Sequence, residues 1–223
     1  MLRAILGRII KTLYPSRCPY CNEFILSDDE ACEACIDKLE YEYIITPLNC
    51  KSRNVSPFKY DGLYRDAILS LKYANNPQFA QQLAISVKKA VCKEYSDFLA
   101  DENSFDIIAC VPCTKSDYTK RGYNQAQLIA EALSRELSIP FEQALQKAVK
   151  TKPQHTLQRS NRQANVIGAF AVTQESDVTG KRILLIDDIV TTGSTLSECA
   201  KTLYKAGAET VLCATYATTP AKK

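Results

Sequence analysis

A chain of 223 residues, 46% hydrophobic and 24% charged, is long enough to bury a sizeable core and fits one domain plus a small module. Its net charge of +3 is too small to argue for nucleic-acid binding by itself, and no stretch reads as a transmembrane segment. Ten cysteines behind a start that lacks the continuous apolar region of an export signal argue against a disulfide framework. They favour metal binding or simple burial, and a cytoplasmic location is the expectation.

The first stretch, MLRAILGRIIKTLY, sets Ile5, Leu6, Ile9, Ile10 and Leu13 at helical spacing, with Arg3, Arg8 and Lys11 between them. This pattern predicts a short amphipathic helix over 1–13 that docks on the body of the protein rather than anchoring in a membrane. Residues 14–52 follow with five cysteines and little alternating apolar pattern. Cys18-Pro-Tyr-Cys21 and Cys32-Glu-Ala-Cys35 form two knuckles whose four thiolates suit the tetrahedral preference of structural Zn²⁺. A module this small has little core, so metal binding would largely fold it. Cys50 stands outside these pairs and reads as a relic of a further pair or a buried thiol. Arg17, Lys38 and Lys51 are outweighed by Glu23, Asp28, Asp29, Glu30, Glu33, Asp37, Glu40 and Glu42. Such an acidic module is unlike a duplex-binding surface and fits contact with protein better.

Residues 53–220 read as one larger domain. After an Asn-Pro break, Leu83, Val87, Ala90 and Val91 recur at helical spacing. From Phe105 the pattern turns α/β: the strand DIIACVP, the helix NQAQLIAEALSRELS, the strand RILLID, the helix STLSECAKTLYKAG ending at Gly207, and the strand TVLCATYA. Apolar strands without alternation, separated by helices, predict a mainly parallel sheet covered on both faces. Cys92, Cys199 and Cys213 fall in these patterns and read as core. Between the two halves of this region, Lys147, Lys150, Lys152, Arg159 and Arg162 form a run without acids, either a solvated face or a hold on a polyanion.

The most specific stretch is ILLIDDIVTTGSTL. Ligands of open α/β sheets bind at the carboxyl ends of strands, where Asp187 and Asp188 fall. The following loop enters a helix near Ser194, and a helix N-terminus presents unpaired N–H groups and a positive dipole end to a phosphate. Gly193 admits close backbone approach, and the hydroxyls of Thr191, Thr192, Ser194 and Thr195 add donors. A sugar phosphate, with its phosphate in the loop and its hydroxyls on the acids, fits that description. The plain alternative is a capped helix after a strand, with acids that are merely solvated.

This stretch resembles the phosphoribosyl-diphosphate (PRPP) signature of type I phosphoribosyltransferases. The resemblance implies that Asp187 and Asp188 hold the ribose hydroxyls, that Thr191 to Thr195 cradle the 5′-phosphate, and that the fold is a type I phosphoribosyltransferase α/β sheet. The segment KRGYNQAQLIA after the strand IIACVP, the segment TKPQHTLQRSNRQANVIGAF and the cysteine-rich start are similar to the ComF family, associated with competence. That resemblance supports the zinc ribbon on Cys18, Cys21, Cys32 and Cys35, although many ComF relatives carry further cysteine pairs. It implies transfer of phosphoribosyl from PRPP to an unknown acceptor, with Mg²⁺ accompanying the diphosphate. Lys115 and Arg121 stand where type I relatives contact pyrophosphate. Arg159 and Arg162 lie in a stretch where relatives have a closing loop, so they too are expected at the diphosphate; His155, the single histidine, is not assigned a role. A competence DNA helicase is the partner the resemblance implies. A non-catalytic PRPP- or nucleotide-binding regulator, and a protein adaptor in DNA uptake, stay open as alternatives.

Overall fold

The computed structural model describes residues 16–25, 29–73, 76–99, 104–148 and 168–219. The segment 1–13 expected to form an amphipathic helix lies outside them.

In chain order, β1 (Ser16–Arg17) and β2 (Phe24–Ile25) pair antiparallel, and α1 (Glu33–Ile36) follows. Next come β3 (Ile44–Pro47), β4 (Arg53–Ser56), β5 (Phe58–Lys59), α2 (Gly62–Tyr73) and α3 (Phe79–Glu94), with a short 3-10 turn at Ser96–Phe98. The second half runs β6 (Ile107–Cys110), α4 (Lys115–Arg121), α5 (Gln125–Leu137), β7 (Leu145–Lys147), β8 (Phe170–Val172), β9 (Arg182–Val190), α6 (Ser194–Lys205) and β10 (Thr210–Thr218). The central sheet has the order β3-β4-β10-β9-β6, with β5 alongside β10. All its pairings are parallel except β3 with β4, an edge strand whose Pro47 is tolerated because an edge needs no donor on its outer side.

The central strands β6, β9 and β10 are apolar over most of their length because both faces are covered. Ile108, Leu184, Ile186, Leu212 and Tyr216 pack under α2, α3 and α5, where Ile68, Leu71, Leu83, Val87, Ile129 and Leu133 are fully buried. Ile183, Leu185, Val211 and Cys213 pack on the other face against Leu196, Cys199 and Leu203 of α6. Cys199 and Cys213 are buried, as their spacing predicts. Cys92 is not: it lies one position past Val91 on the outer side of α3 and is exposed, so its helical position points away from the core.

The cysteine-rich segment is fastened to this body. Tyr20, inside the first knuckle, accepts a hydrogen bond from Tyr216 Oη at 3.0 Å and meets the Tyr64 ring edge-on. Glu30, one of the acids of this acidic module, is 1% exposed. Its carboxylate accepts hydrogen bonds from Tyr41 and from Ser86 of α3 and pairs with Lys89 of α3. A buried carboxylate is tolerated only with such partners.

Candidate functional site

Strands β4, β10, β9 and β6 run parallel, so their carboxyl ends share one edge. The β6 ladder stops at Cys110 opposite Ile186, one residue before the paired acids. From Asp187 onward β9 therefore has β10 beside it but no partner from β6, which opens space above the strand end. Side chains alternate along a strand. Leu185 faces α6 and Ile186 faces the α2–α3 side, so Asp187 falls on the α6 side and Asp188 on the α2 side.

Asp187 Oδ1 accepts the backbone N–H of Asp188 at 2.9 Å. Burial, then the neighbouring Asp188 charge, raises its carboxyl from the ordinary 3.8 to about 8, while that N–H, Lys72 and Lys147 act in the opposite direction. Lys147, at the end of β7, rests its ammonium 4.0 Å from the centre of the Phe170 ring. Asp188 Oδ2 forms an ion pair with Lys72 Nζ at 2.8 Å, both side chains less than one-fifth exposed at 17% and 14%.

The loop after β9 turns through Gly193, whose φ of +71° is left-handed, and α6 begins at Ser194. The N-cap position is Gly193 and so offers no side chain; Ser194 N–H donates to Thr192 Oγ1 at 3.4 Å, and the Thr192 and Ser194 hydroxyls are 2.8 Å apart. Asp187 and residues 189–196 line a small polar pocket of about 40 Å³. The start of α6 thus directs N–H groups and dipole towards a space that Asp187 also borders, as an anion with nearby hydroxyls requires. A Cβ on Gly193 would lie 2.8 Å from Leu48 Cδ2. Gly193→Ala is accordingly expected to cost about 1–2 kcal/mol through strain and crowding. Thermal unfolding of the variant against the wild type checks this cost.

The segment KRGYNQ sets the neighbouring wall. Gly122 (φ +79°) ends α4 in the left-handed region, and Asn124 caps α5 through Ala126 N while donating to Val111 O at 2.9 Å. Tyr123 Oη donates to Leu71 O at 2.6 Å, fixing the end of α2. Arg121 donates to Gln125 Oε1 at 2.9 Å and lies over the Tyr73 ring. With Lys72, Tyr73, Asp117, Lys120 and Tyr123 it lines a cleft of about 340 Å³. Lys115 is exposed at the first position of α4.

The structure thus gathers Asp187 and Thr191 to Thr195 around one pocket, sets Asp188 on the other side of the same strand end, and puts Arg121 in the adjoining cleft. Arg159, Arg162 and His155 lie outside the described residues. Lys72 and Tyr73 were not singled out from the sequence, whereas Lys147 opens the acid-free basic run noted there; Lys72 stands in the last turn of α2.

The second cluster is the thiol group of Cys18, Cys21, Cys32 and Cys35, whose Sγ atoms all lie within 4.8 Å of one another. Cys21 and Cys32 Sγ are 3.4 Å apart. Zn–S bonds of about 2.3 Å in a tetrahedron place sulfurs about 3.8 Å apart, so the donor set fits Zn²⁺ in type and size. Burial, followed by the Cys21 and Cys32 thiols, pushes the Cys35 thiol well up. Cys50 is half-buried beside the α6 face and stands apart from this group.

Comparison with known proteins finds a domain model for each part of the chain. A phosphoribosyl transferase domain model matches residues 80–223, and a double zinc ribbon domain model matches residues 9–62. Competence protein F of Haemophilus influenzae is 39% identical over 108 residues, 48% of this chain and 47% of that protein. The DNA utilization protein YhgH of Escherichia coli O157:H7 is 37% identical over 107 residues, 48% of this chain and 46% of that protein. The chain thus spans about half the length of these curated relatives. A solved adenine phosphoribosyltransferase from Leishmania tarentolae overlays with a TM-score of 0.43 at 12% identity, covering 78% of this chain and 94% of that chain. The family model and not that distant overlay decides the assignment, and the double zinc ribbon model together with the four-thiol cluster supports a structural Zn²⁺. Among the described residues no helix is long and apolar enough to cross a membrane. The resemblance to ComF proteins is borne out by these relatives, and the chain belongs to the phosphoribosyl transferase family, with a zinc ribbon ahead of the transferase domain.

Proposed function

We propose that the protein is a phosphoribosyltransferase that binds PRPP at the end of β9 and transfers phosphoribosyl to an acceptor, in a role linked to competence and DNA use. The observation that carries this reading is the pocket shared by Asp187 and residues 189–196, where the loop after the paired acids leads into the start of α6. A ribose lying over the strand end has Asp187 on one side and Asp188 on the other, with its 5′-phosphate against Thr191 to Thr195. Arg121 and Lys115, from the neighbouring wall, and Arg159 and Arg162 are proposed to meet the diphosphate.

In the reaction, the acceptor's lone pair forms a bond to ribose C1 as the bond from C1 to diphosphate breaks. The electron pair leaves on the diphosphate, and the acceptor loses its proton. The Asp188 carboxylate beside the ring, and Asp187 where it ionises, stabilise the positive charge that grows on it in the transition state. The donor set fits Mg²⁺ carried mainly by ligand oxygens, since the acids are few and one is ion-paired. When bound, Mg²⁺ supplies charge neutralisation for the leaving diphosphate.

The linkage to DNA rests on the names of relatives of which the chain matches 47% and 46%, and a competence DNA helicase is the partner proposed with it. The test is a calorimetric titration of PRPP with Mg²⁺ into the zinc-loaded wild type and into Asp187→Asn/Asp188→Asn. Binding by the wild type alone, followed by acceptor-dependent diphosphate release from a panel of bases and amines, supports the enzyme. Binding without release for any acceptor favours a PRPP-sensing regulator, and no binding by the wild type removes the reading.

A further inference from the structure

Lys72 occupies the functional oxygen of the candidate site. Its ammonium sits 2.8 Å from Asp188 Oδ2, in surroundings that leave only 17% of its side chain exposed. Lysine holds its charge in solvent wherever it can, so an enclosed ammonium needs a partner, and here the partner is an acid on which the sugar hydroxyls are proposed to rest. A hydroxyl that donates to Asp188 Oδ2 competes directly with Lys72.

The helix that carries Lys72 is not free to withdraw. Ile68 and Leu71 of α2 are fully buried, and Tyr123 holds Leu71 O from the opposite wall. Only the lysine stem can turn, and a flexible four-carbon stem with three donors suits a charge that exchanges partners. The space beside it is prepared for an anion. Lys72, Lys120 and Arg121 line the cleft of about 340 Å³ with one acid, Asp117. That acid is already engaged: Thr114 Oγ1 donates to it at 2.7 Å, and Arg121 is 3.9 Å away. One wall of this cleft is thus the ammonium that guards Asp188.

Resting on the ribose-phosphate reading above, we infer that Lys72 is an exchangeable counter-ion: it holds Asp188 in the ligand-free protein and passes to the diphosphate when the sugar takes the carboxylate. It is a positioning and selectivity residue. It makes entry of the ribose costly for a ligand without a diphosphate and compensates a ligand that has one. The protein therefore distinguishes PRPP from ribose 5-phosphate at a residue outside its sequence signature.

The test compares PRPP and ribose 5-phosphate, each with Mg²⁺, by calorimetry on the full zinc-loaded chain. Lys72→Met keeps the apolar stem and removes the charge; Lys72→Gln is the second variant, and thermal melts verify folding of each. Loss of one charged contact is expected to weaken PRPP by about 10- to 100-fold. Ribose 5-phosphate should bind as in the wild type or more tightly, because its competitor is gone. Lys72→Arg should recover part of the PRPP affinity. Equal weakening of both ligands would overturn the proposal, since Lys72 would then stay with the sugar. Unchanged PRPP binding in the folded variants overturns it as well. A wild type that binds neither ligand removes the ribose-phosphate site itself and the exchange with it; a wild type that binds both, with selectivity untouched by the variants, removes the exchange alone.

Discussion

Cys35→Ser is expected to lower the zinc content from one equivalent per chain to almost none and to uncouple the N-terminal segment from the body. The segment has little else to fold it: its buried cluster contains Cys18, Ile25, Ala31 and Cys35, so two of the four buried side chains are themselves thiols. Structural zinc sites contribute about 10–16 kcal/mol of apparent binding energy at neutral pH, which becomes folding energy where no site exists without folding. The effect reaches the transferase domain through Glu30 and Tyr20. Glu30 lies two residues before Cys32 and is bonded to Tyr41, Ser86 and Lys89, and Tyr20 sits between the ligands Cys18 and Cys21 and touches Tyr216. Release of these contacts should lower stability by about 3 kcal/mol, a fall in Tm of about 10 °C for a chain of this size. Metal analysis and calorimetry read the two effects. Cys50→Ser is the control, expected to retain the zinc, because Cys50 is not among the four clustered thiols. Two equivalents of zinc in the wild type, or unchanged zinc in Cys35→Ser, would contradict the single four-thiol site.

Asp187→Asn should weaken PRPP binding by about 100-fold or more and yet stabilise the protein above neutral pH. The folded carboxyl is raised from 3.8 to about 8, first by burial and then by Asp188. Between those values the folded protein holds a proton that the unfolded chain has given up. Stability therefore falls as pH rises through the window from about 4 to about 8, and the penalty is complete above it. Asparagine cannot ionise and avoids that penalty. After solvent screening of a half-buried group, the gain at pH 8 is about 1–2 kcal/mol, with little difference near pH 4. Thermal unfolding of both proteins across pH 4.5 to about 8.5 checks the sign; parallel curves would show that Asp187 does not carry the raised pKa. Loss of binding together with a gain in stability is what a strained ligand site gives and a structural acid does not.

The sequence by itself determined the elements whose cause is local. The strand of β9, the turn at Gly193, the start of α6 and the two cysteine knuckles all depend on neighbours a few residues away, and each stands where its spacing puts it. The long apolar strands likewise announce a doubly covered sheet, since only burial on both faces removes the alternation. The tertiary structure decided everything that depends on partners distant in the chain. β4, for which the sequence pattern predicts no element, carries Asn54 and Ser56; they are buried because Thr215 of β10 meets them at 3.1 and 2.7 Å. Glu30 stands in a run of acids, and it turns inward because α3 offers Ser86 and Lys89. Cys92 follows an apolar face by one position and so points out. Lys72 is an ordinary helix cation until folding lays the end of α2 beside the end of β9, and only that juxtaposition makes it the partner of Asp188. Spacing along a chain fixes which faces are apolar, but it does not fix which distant charges those faces bring together.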